Sequence, residues 1–161
     1  MKKIKFVRVD SRLVHGQILM KWLEIIQIDR VIIIDDDIKG NPFMKGIMRR
    51  SLPKKCSLEI WDCREAREFM EAGDEEESAF ILVRRVAALA FLDRSAVFHE
   101  INIASMPFSE GKEKIYEHVY ADKEEQKYLR HFINTGTKVY IQMVPDSERI
   151  WLRDVLEGRT L

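Results

Sequence analysis

No net charge is available to this chain, whose 161 residues carry 27 Lys plus Arg against 27 Asp plus Glu. A balanced chain sets up no field that would hold nucleic acid or an anionic membrane surface nonspecifically, so no nucleic-acid partner is expected and charge recognition has to be local. Long apolar runs are missing too. The best of them, such as Val31-Ile32-Ile33-Ile34, fall far short of the roughly 20 residues that cross a bilayer, so any membrane role is expected to come through a partner. Cysteine is scarce: Cys56 and Cys63 fit neither a redox CxxC nor a zinc ligand set and read as buried free thiols. The first ten residues thread Lys2, Lys3, Lys5 and Arg8 through their apolar positions, which does not suit a secretory leader, and a cytoplasmic location is expected. No repeat, linker or low-complexity segment divides the chain, and one domain over residues 1–161 is expected, long enough to bury a core without disulfides or metals.

Cofactor templates are absent as well. There is no GxGxxG for a dinucleotide, and Gly111-Lys112 is followed by Glu113 and lacks the upstream glycine of a P-loop. No spacing of His, Cys, Asp and Glu suggests a metal site, and no cofactor is expected. The methionines, Met44, Met48, Met106 and Met143 among them, read as fillers of core gaps.

What is present is a rhythm. Short β-branched or apolar runs alternate with amphipathic stretches, the pattern of βα units around a mostly parallel sheet, so the class is α/β. Strands are expected near 3–9, 30–35, 57–61, 79–83, 100–104, 115–120 and 138–143. Helices are expected over 15–25, 42–51, 64–72, 86–94, 123–134 and 147–156. In the first of these, Ile18, Leu19, Trp22, Leu23 and Ile26 share one face. Gly136 is read as the stop after the fifth helix.

Four histidines are present, and context separates them. His99, His118 and His131 sit in or beside strand and helix patterns with no second ligand near, and surface or edge roles are their default. His15 stands where the first strand hands over to the first helix, the end of an α/β sheet at which loops are free of packing duty and helix amides point outward. A neutral imidazole there can attack phosphorus. Arg8 and Arg12 supply cations for the oxygens of a phosphoryl group in flight, Asp10 suits the holding of the loop or of one ring nitrogen, and the amides near Gly16 and Gln17 can donate. Gly16 also allows close backbone approach by a partner. Taken alone, a histidine between arginines at a helix start is more often a capping or surface group than a catalyst.

The stretch Val7-Arg8-Val9-Asp10-Ser11-Arg12-Leu13-Val14-His15-Gly16-Gln17-Ile18 closely resembles the active-site signature of the mannose, fructose and sorbose family of IIB subunits of sugar phosphotransferase systems. That family usually reads Arg-Ile-Asp-Asp-Arg-Leu-Ile-His-Gly-Gln-Val there, followed by a tryptophan that Trp22 matches. The likeness continues through Arg30 to Asp36, Phe108 to Lys112, Gly136 to Val139 and Val144 to Asp146. The resemblance implies an open, mostly parallel, seven-stranded mixed sheet with helices on both faces. It implies that His15 is phosphorylated, with Arg12 beside it and Asp10 as the first of two aspartates. It also implies a IIA phosphohistidine as donor and, as acceptor, a sugar reached only in complex with the membrane subunits IIC and IID, which would bring the chain transiently to the membrane. A homo-oligomer is compatible with the sequence.

Three departures from the family pattern stand out. Ser11 replaces the second aspartate, Ala104-Ser105 replaces a Gly-Gly pair, and Arg84-Arg85 stands where a small polar residue and a proline are common. Arg84 and Ser105 are therefore accessory candidates for contact with phosphate or partner. Two rival readings follow. A IIB-like domain that accepts phosphate as a regulatory signal without completing sugar transfer would rest on the altered Ala104-Ser105 loop alone. A histidine phosphatase needs Arg-His-Gly, and Val14 precedes His15.

Overall fold

The computed structural model describes residues 1–74 and 76–159. Strands form where the apolar runs predict them: β1 (Lys2–Asp10), β2 (Arg30–Ile34), β3 (Ser57–Trp61), β4 (Glu76–Val83), β5 (Ala96–Ser105) and, later, β8 (Lys138–Ile141). Between β5 and β8 lie β6 (Glu113–Tyr116) and β7 (Val119–Ala121), and β9 (Ile150–Trp151) follows. The helices are α1 (Gly16–Ile26), α2 (Asp36–Lys39), α3 (Pro42–Arg50), α4 (Cys63–Glu71), α5 (Val86–Leu92), α6 (Lys123–Asn134) and α7 (Leu152–Leu156).

Seven strands make one sheet in the order β3-β2-β4-β1-β5-β8-β9. All pairings are parallel except the last, where β9 runs antiparallel to β8. Strands β1, β2 and β4 place core residues on both faces, because helices cover both. On one face Phe6, Val31, Ile33, Phe80 and Leu82 pack against Leu19, Trp22 and Leu23 of α1, Ile38 of α2 and Met48 of α3. On the other, Val7, Val9, Ile81, Val83 and Ile101 meet α4, α5, α6 and α7 through Met70, Leu89, Phe132 and Leu152. Helices α4 and α6 each start in a capping box, Asp62 with Glu65 and Asp122 with Glu125, an arrangement worth about 1 kcal/mol per cap. Gly136 follows α6 at φ +97 with open space around it, so the backbone conformation, not crowding, asks for glycine there.

Two sequence expectations are corrected. Residues 115–120 are not one strand of the main sheet: they fold back as the hairpin β6–β7, a separate two-stranded sheet, because His118 takes a left-handed conformation, φ 60, that no extended strand admits. The seventh strand is instead β9, which the sequence reading placed inside a helix over 147–156. That helix starts only at Leu152, and the exposed Ser147-Glu148-Arg149 segment stays irregular. The one-turn helix α2 was not anticipated; Asp35 caps it by accepting from the amides of Asp37 and Ile38.

The topology decides where chemistry can sit. The chain leaves β1 toward β2 and leaves β5 toward β8, in opposite directions from two neighbouring strands. Their carboxyl ends therefore flank the crevice in which open α/β sheets bind ligands.

Candidate phosphoryl site

The site is assembled around Asp10, the last residue of β1, whose side chain is fully buried. Its Oδ1 accepts from the Arg12 backbone N at 3.1 Å and from Arg12 Nε at 3.0 Å. Its Oδ2 takes Arg12 Nη2 at 3.2 Å, Arg8 Nη2 at 3.2 Å and His15 Nε2 at 3.0 Å. One carboxylate thus gathers three of the residues that the sequence singled out. Burial pushes the Asp10 carboxyl upward, but the hydrogen bonds from Arg12 and His15 and the charge of Arg8 outweigh it, and the pKa is lowered below its ordinary 3.8. An ionised carboxylate can only accept, so His15 Nε2 is the protonated nitrogen and, in the neutral ring, Nδ1 carries the lone pair.

The loop that presents these groups is short and shaped by unusual backbone. The Leu13 amide donates to the Asp10 carbonyl at 3.0 Å, and Leu13 itself is left-handed at φ 54 with its side chain buried in the core. His15 is extended and stands at the N-cap of α1 without a side-chain capping bond, and the first turn holds no acidic residue. The amides of the first turn are therefore unclaimed by any side-chain cap, at the positive end of an 11-residue helix. Gly16 has φ 49 and nothing within 4 Å of a Cβ built on it, so glycine is needed for the bend into the helix. Gln17 is exposed beside it.

Arg12 and Arg8 differ in kind. The Arg12 side chain is 38% exposed, and its Nη1 has no partner among the described residues. Arg8 is 1% exposed, and both of its Nη nitrogens are engaged. Nη1 donates to Asn102 Oδ1 at 2.5 Å and to the Gln142 carbonyl at 3.3 Å; Nη2 donates to the Met143 carbonyl at 2.9 Å as well as to Asp10. It also lies 5.3 Å from the centre of the Trp22 ring. Burial brings its pKa down to about 10, against the opposing pull of Asp10, which leaves it charged at neutral pH. The expected phosphate contact from Arg8 is thus corrected: it holds Asp10 from below and has no face turned to the crevice.

Beneath the loop, Asn102 Nδ2 donates to the Gln142 carbonyl at 2.9 Å, and Trp22 Nε1 to the Met143 carbonyl at 3.1 Å. Gln142 Nε2 in turn holds the carbonyls of Pro145 and Ser147 at 3.1 and 2.6 Å. Asn102 and Gln142 were not among the sequence candidates. The available signal was polarity in a core strand, Ile101-Asn102-Ile103 and Ile141-Gln142, since a buried amide requires partners.

Of the accessory candidates, Arg84 follows β4 next to β1 in the sheet, but its fork is engaged. Nη2 donates to Asp35 Oδ1 at 2.7 Å and to Asp37 Oδ2 at 3.0 Å, and Nε makes a second bond to Asp35. Ser105, at the end of β5, has its Oγ 3.2 Å from Ser11 Oγ. Asp10, Arg12 and His15 are therefore brought into one cluster, Ser105 borders it, and Arg84 belongs to a neighbouring ion pair.

Comparison with known proteins speaks to the family and the fold. A family described as PTS system sorbose subfamily IIB component matches residues 4–160. The sorbose-specific EIIB component of Lacticaseibacillus casei is 25% identical over 161 residues, covering 97% of this chain and 98% of its own. Among solved structures, manxB from Thermoanaerobacter tengcongensis superposes with a TM-score of 0.85 at 26% identity, over 100% of this chain and 99% of that one. The IIBSor domain of the sorbose permease from Klebsiella pneumoniae does so with a TM-score of 0.86 at 20% identity, over 99% of each chain, a likeness of fold.

Proposed function

The chain belongs to the sorbose subfamily of phosphotransferase-system IIB components, the phosphoryl carriers of sugar uptake, and on that premise we propose that His15 is the residue that carries the phosphoryl group. IIB components work between a IIA protein and membrane partners IIC and IID. In this reading His15 Nδ1 attacks the phosphorus of a IIA phosphohistidine in line. The new N–P bond forms from the Nδ1 lone pair as the donor's N–P bond breaks, and that electron pair returns to the donor's imidazole. No proton needs to move between the two proteins, and no cofactor takes part.

The observation that carries the proposal is the 3.0 Å contact between His15 Nε2 and buried Asp10, which leaves Nδ1 as the nucleophile. Arg12, tied to the same carboxylate and still half open to solvent, neutralises the equatorial oxygens. The first-turn amides of α1 at Gly16 and Gln17 add donors where a phosphoryl on His15 would lie. With a neutral ring, Arg8, Arg12 and Asp10 sum to one positive charge, suited to an incoming phosphoryl group. Phosphorylated His15 would next meet a sugar held by IIC and IID; among the described residues no helix is long and apolar enough to cross a membrane, so the membrane step belongs to those partners. The chain then acts in the cytoplasm and visits the membrane only by docking.

The test is phosphoryl acceptance from phosphoenolpyruvate through the general phosphotransferase proteins and a IIA donor, with acid-labile phosphate located by mass. The wild type is expected to be labelled at His15 and the variant His15→Ala to stay unlabelled. Label retained in His15→Ala overturns the assignment.

A further inference from the structure

Two hydroxyls that this mechanism leaves unused meet across the crevice between β1 and β5. Ser11, the first residue beyond β1, and Ser105, the last of β5, are joined twice. The Ser11 amide donates to the Ser105 carbonyl at 3.1 Å, and the two Oγ atoms lie 3.2 Å apart. The link falls where the β1–β5 register slips, Val9 pairing with Ile103 but Asp10 with Ser105. It therefore bridges the two strand ends from which the chain departs in opposite directions, with Asp10 on one side of Ser11 and Arg12 on the other.

Proton counting makes the pair more than a tie. Two hydroxyls hold two protons, and their mutual bond uses one. The second has no acceptor among the described residues, and both side chains are partly buried, not surrounded by water. Both positions are among those at which the chain departs from the family pattern described above, a serine for an aspartate and a serine for a glycine. The two departures touch each other.

We propose that Ser11 and Ser105 form a phosphoryl-binding dyad, in which one hydroxyl donates to the other and the second donates its free proton to an equatorial oxygen of the phosphoryl group on His15. The inference rests on His15 being the carrier. The dyad lends a hydrogen bond and transfers no proton, so the bonds made and broken at phosphorus are unchanged. A neutral donor pair also replaces an acidic side chain next to a group that is itself an anion, which removes a repulsion from the charged state of the carrier.

The experiment is the rate of phosphoryl acceptance from a phosphorylated IIA donor, measured with the thermal midpoint for the wild type, S11A, S105A, S11A/S105A and S105T. Each single alanine variant is expected to accept about 10-fold more slowly, the effect of losing one hydrogen bond to a charged group. The double variant should fall within about twofold of the singles, since residues acting as one unit are not additive. S105T keeps the hydroxyl and should keep most of the rate. Unchanged rates in both alanine singles, or losses that follow the thermal midpoint and include S105T, overturn the dyad and leave His15 standing. No label on the wild type, with a donor competent toward another IIB component, overturns the carrier assignment and the dyad with it.

Discussion

His15 Nε2 lies 3.0 Å from Oδ2 of Asp10, and the same oxygen is shared with Arg8 Nη2 at 3.2 Å. The His15 ring, the proposed nucleophile, is thus steered by a carboxylate that is itself clamped in the core, so ring orientation, tautomer and loop position depend on one buried charge. The consequences of disturbing it differ from residue to residue.

Asp10→Asn keeps the shape and removes the charge. The amide can offer Arg8 an oxygen or His15 an acceptor, but it cannot serve Arg8, Arg12 and His15 together, and the tautomer of His15 is no longer dictated. Phosphoryl acceptance is expected to fall by up to about 10⁴-fold, the loss seen when a tautomer-holding carboxylate becomes an amide. Rapid-quench measurement checks this, and a wild-type rate would mean that Asp10 does not set the nucleophile.

The two arginines should separate stability from chemistry. Arg8→Met leaves Asp10 buried without its deepest partner and should cost about 3–5 kcal/mol of folding stability in a denaturant titration. Arg12→Ala removes a partly exposed group and should cost about 1 kcal/mol or less, yet slow acceptance by about 10²-fold or more through loss of charge stabilisation at the phosphoryl oxygens. Equal stability losses in the two variants would contradict the difference in burial.

Acid should weaken this protein only below about pH 5. The folded pKa values of Asp10 and Asp35 both lie below 3.8, because bonds from Arg12 and His15 in the first case and from Arg84 in the second overcome the upward push of burial. A lowered folded pKa means that the unfolded chain binds protons first. The stability these carboxylates contribute is complete above about pH 5, starts to fail as the pH drops toward 3.8, and is lost as it passes the folded values. Denaturant midpoints between pH 7 and pH 3 should show that fall, and the Arg84→Ala variant should show a shallower one.

Neither thiol should react readily at neutral pH. Burial raises the Cys63 thiol to about 11, helped by the carboxylate of Asp36, and burial also raises Cys56. Thiolate is the reactive form, so a thiol-directed dye should label both cysteines slowly in the folded protein and fast in denaturant. Fast labelling of the folded protein would contradict the placement of both side chains.

Much of this was legible in the sequence, for reasons that particular residues make clear. Trp22, Leu19 and Leu23 lie at helical spacing on one face, and they are the buried residues of α1. Runs such as Val31-Ile32-Ile33-Ile34 have one solution in a sheet covered on both faces, and they form β2. The hairpin over 113–121 escaped, since Ile115 to Tyr120 has strand composition throughout and only the left-handed His118 breaks it. Two-residue β9 is too short to have a period, and its pairing with Tyr140 and Ile141 is its whole definition.

The sequence by itself determined the α/β class, the place of His15 at a strand-to-helix junction and the nearness of Asp10, Arg12 and His15, because those three lie within six residues and one loop. Tertiary structure decided their division of labour. Whether a guanidinium meets solvent or the core depends on strands far away in the chain: Arg8 is held by Asn102, Gln142 and Met143, and Ser11 finds Ser105 94 residues further on. Local pattern dictates which groups a loop carries. Only the order of β1 between β4 and β5 dictates which of them lie buried under the site and which remain open to a phosphoryl group.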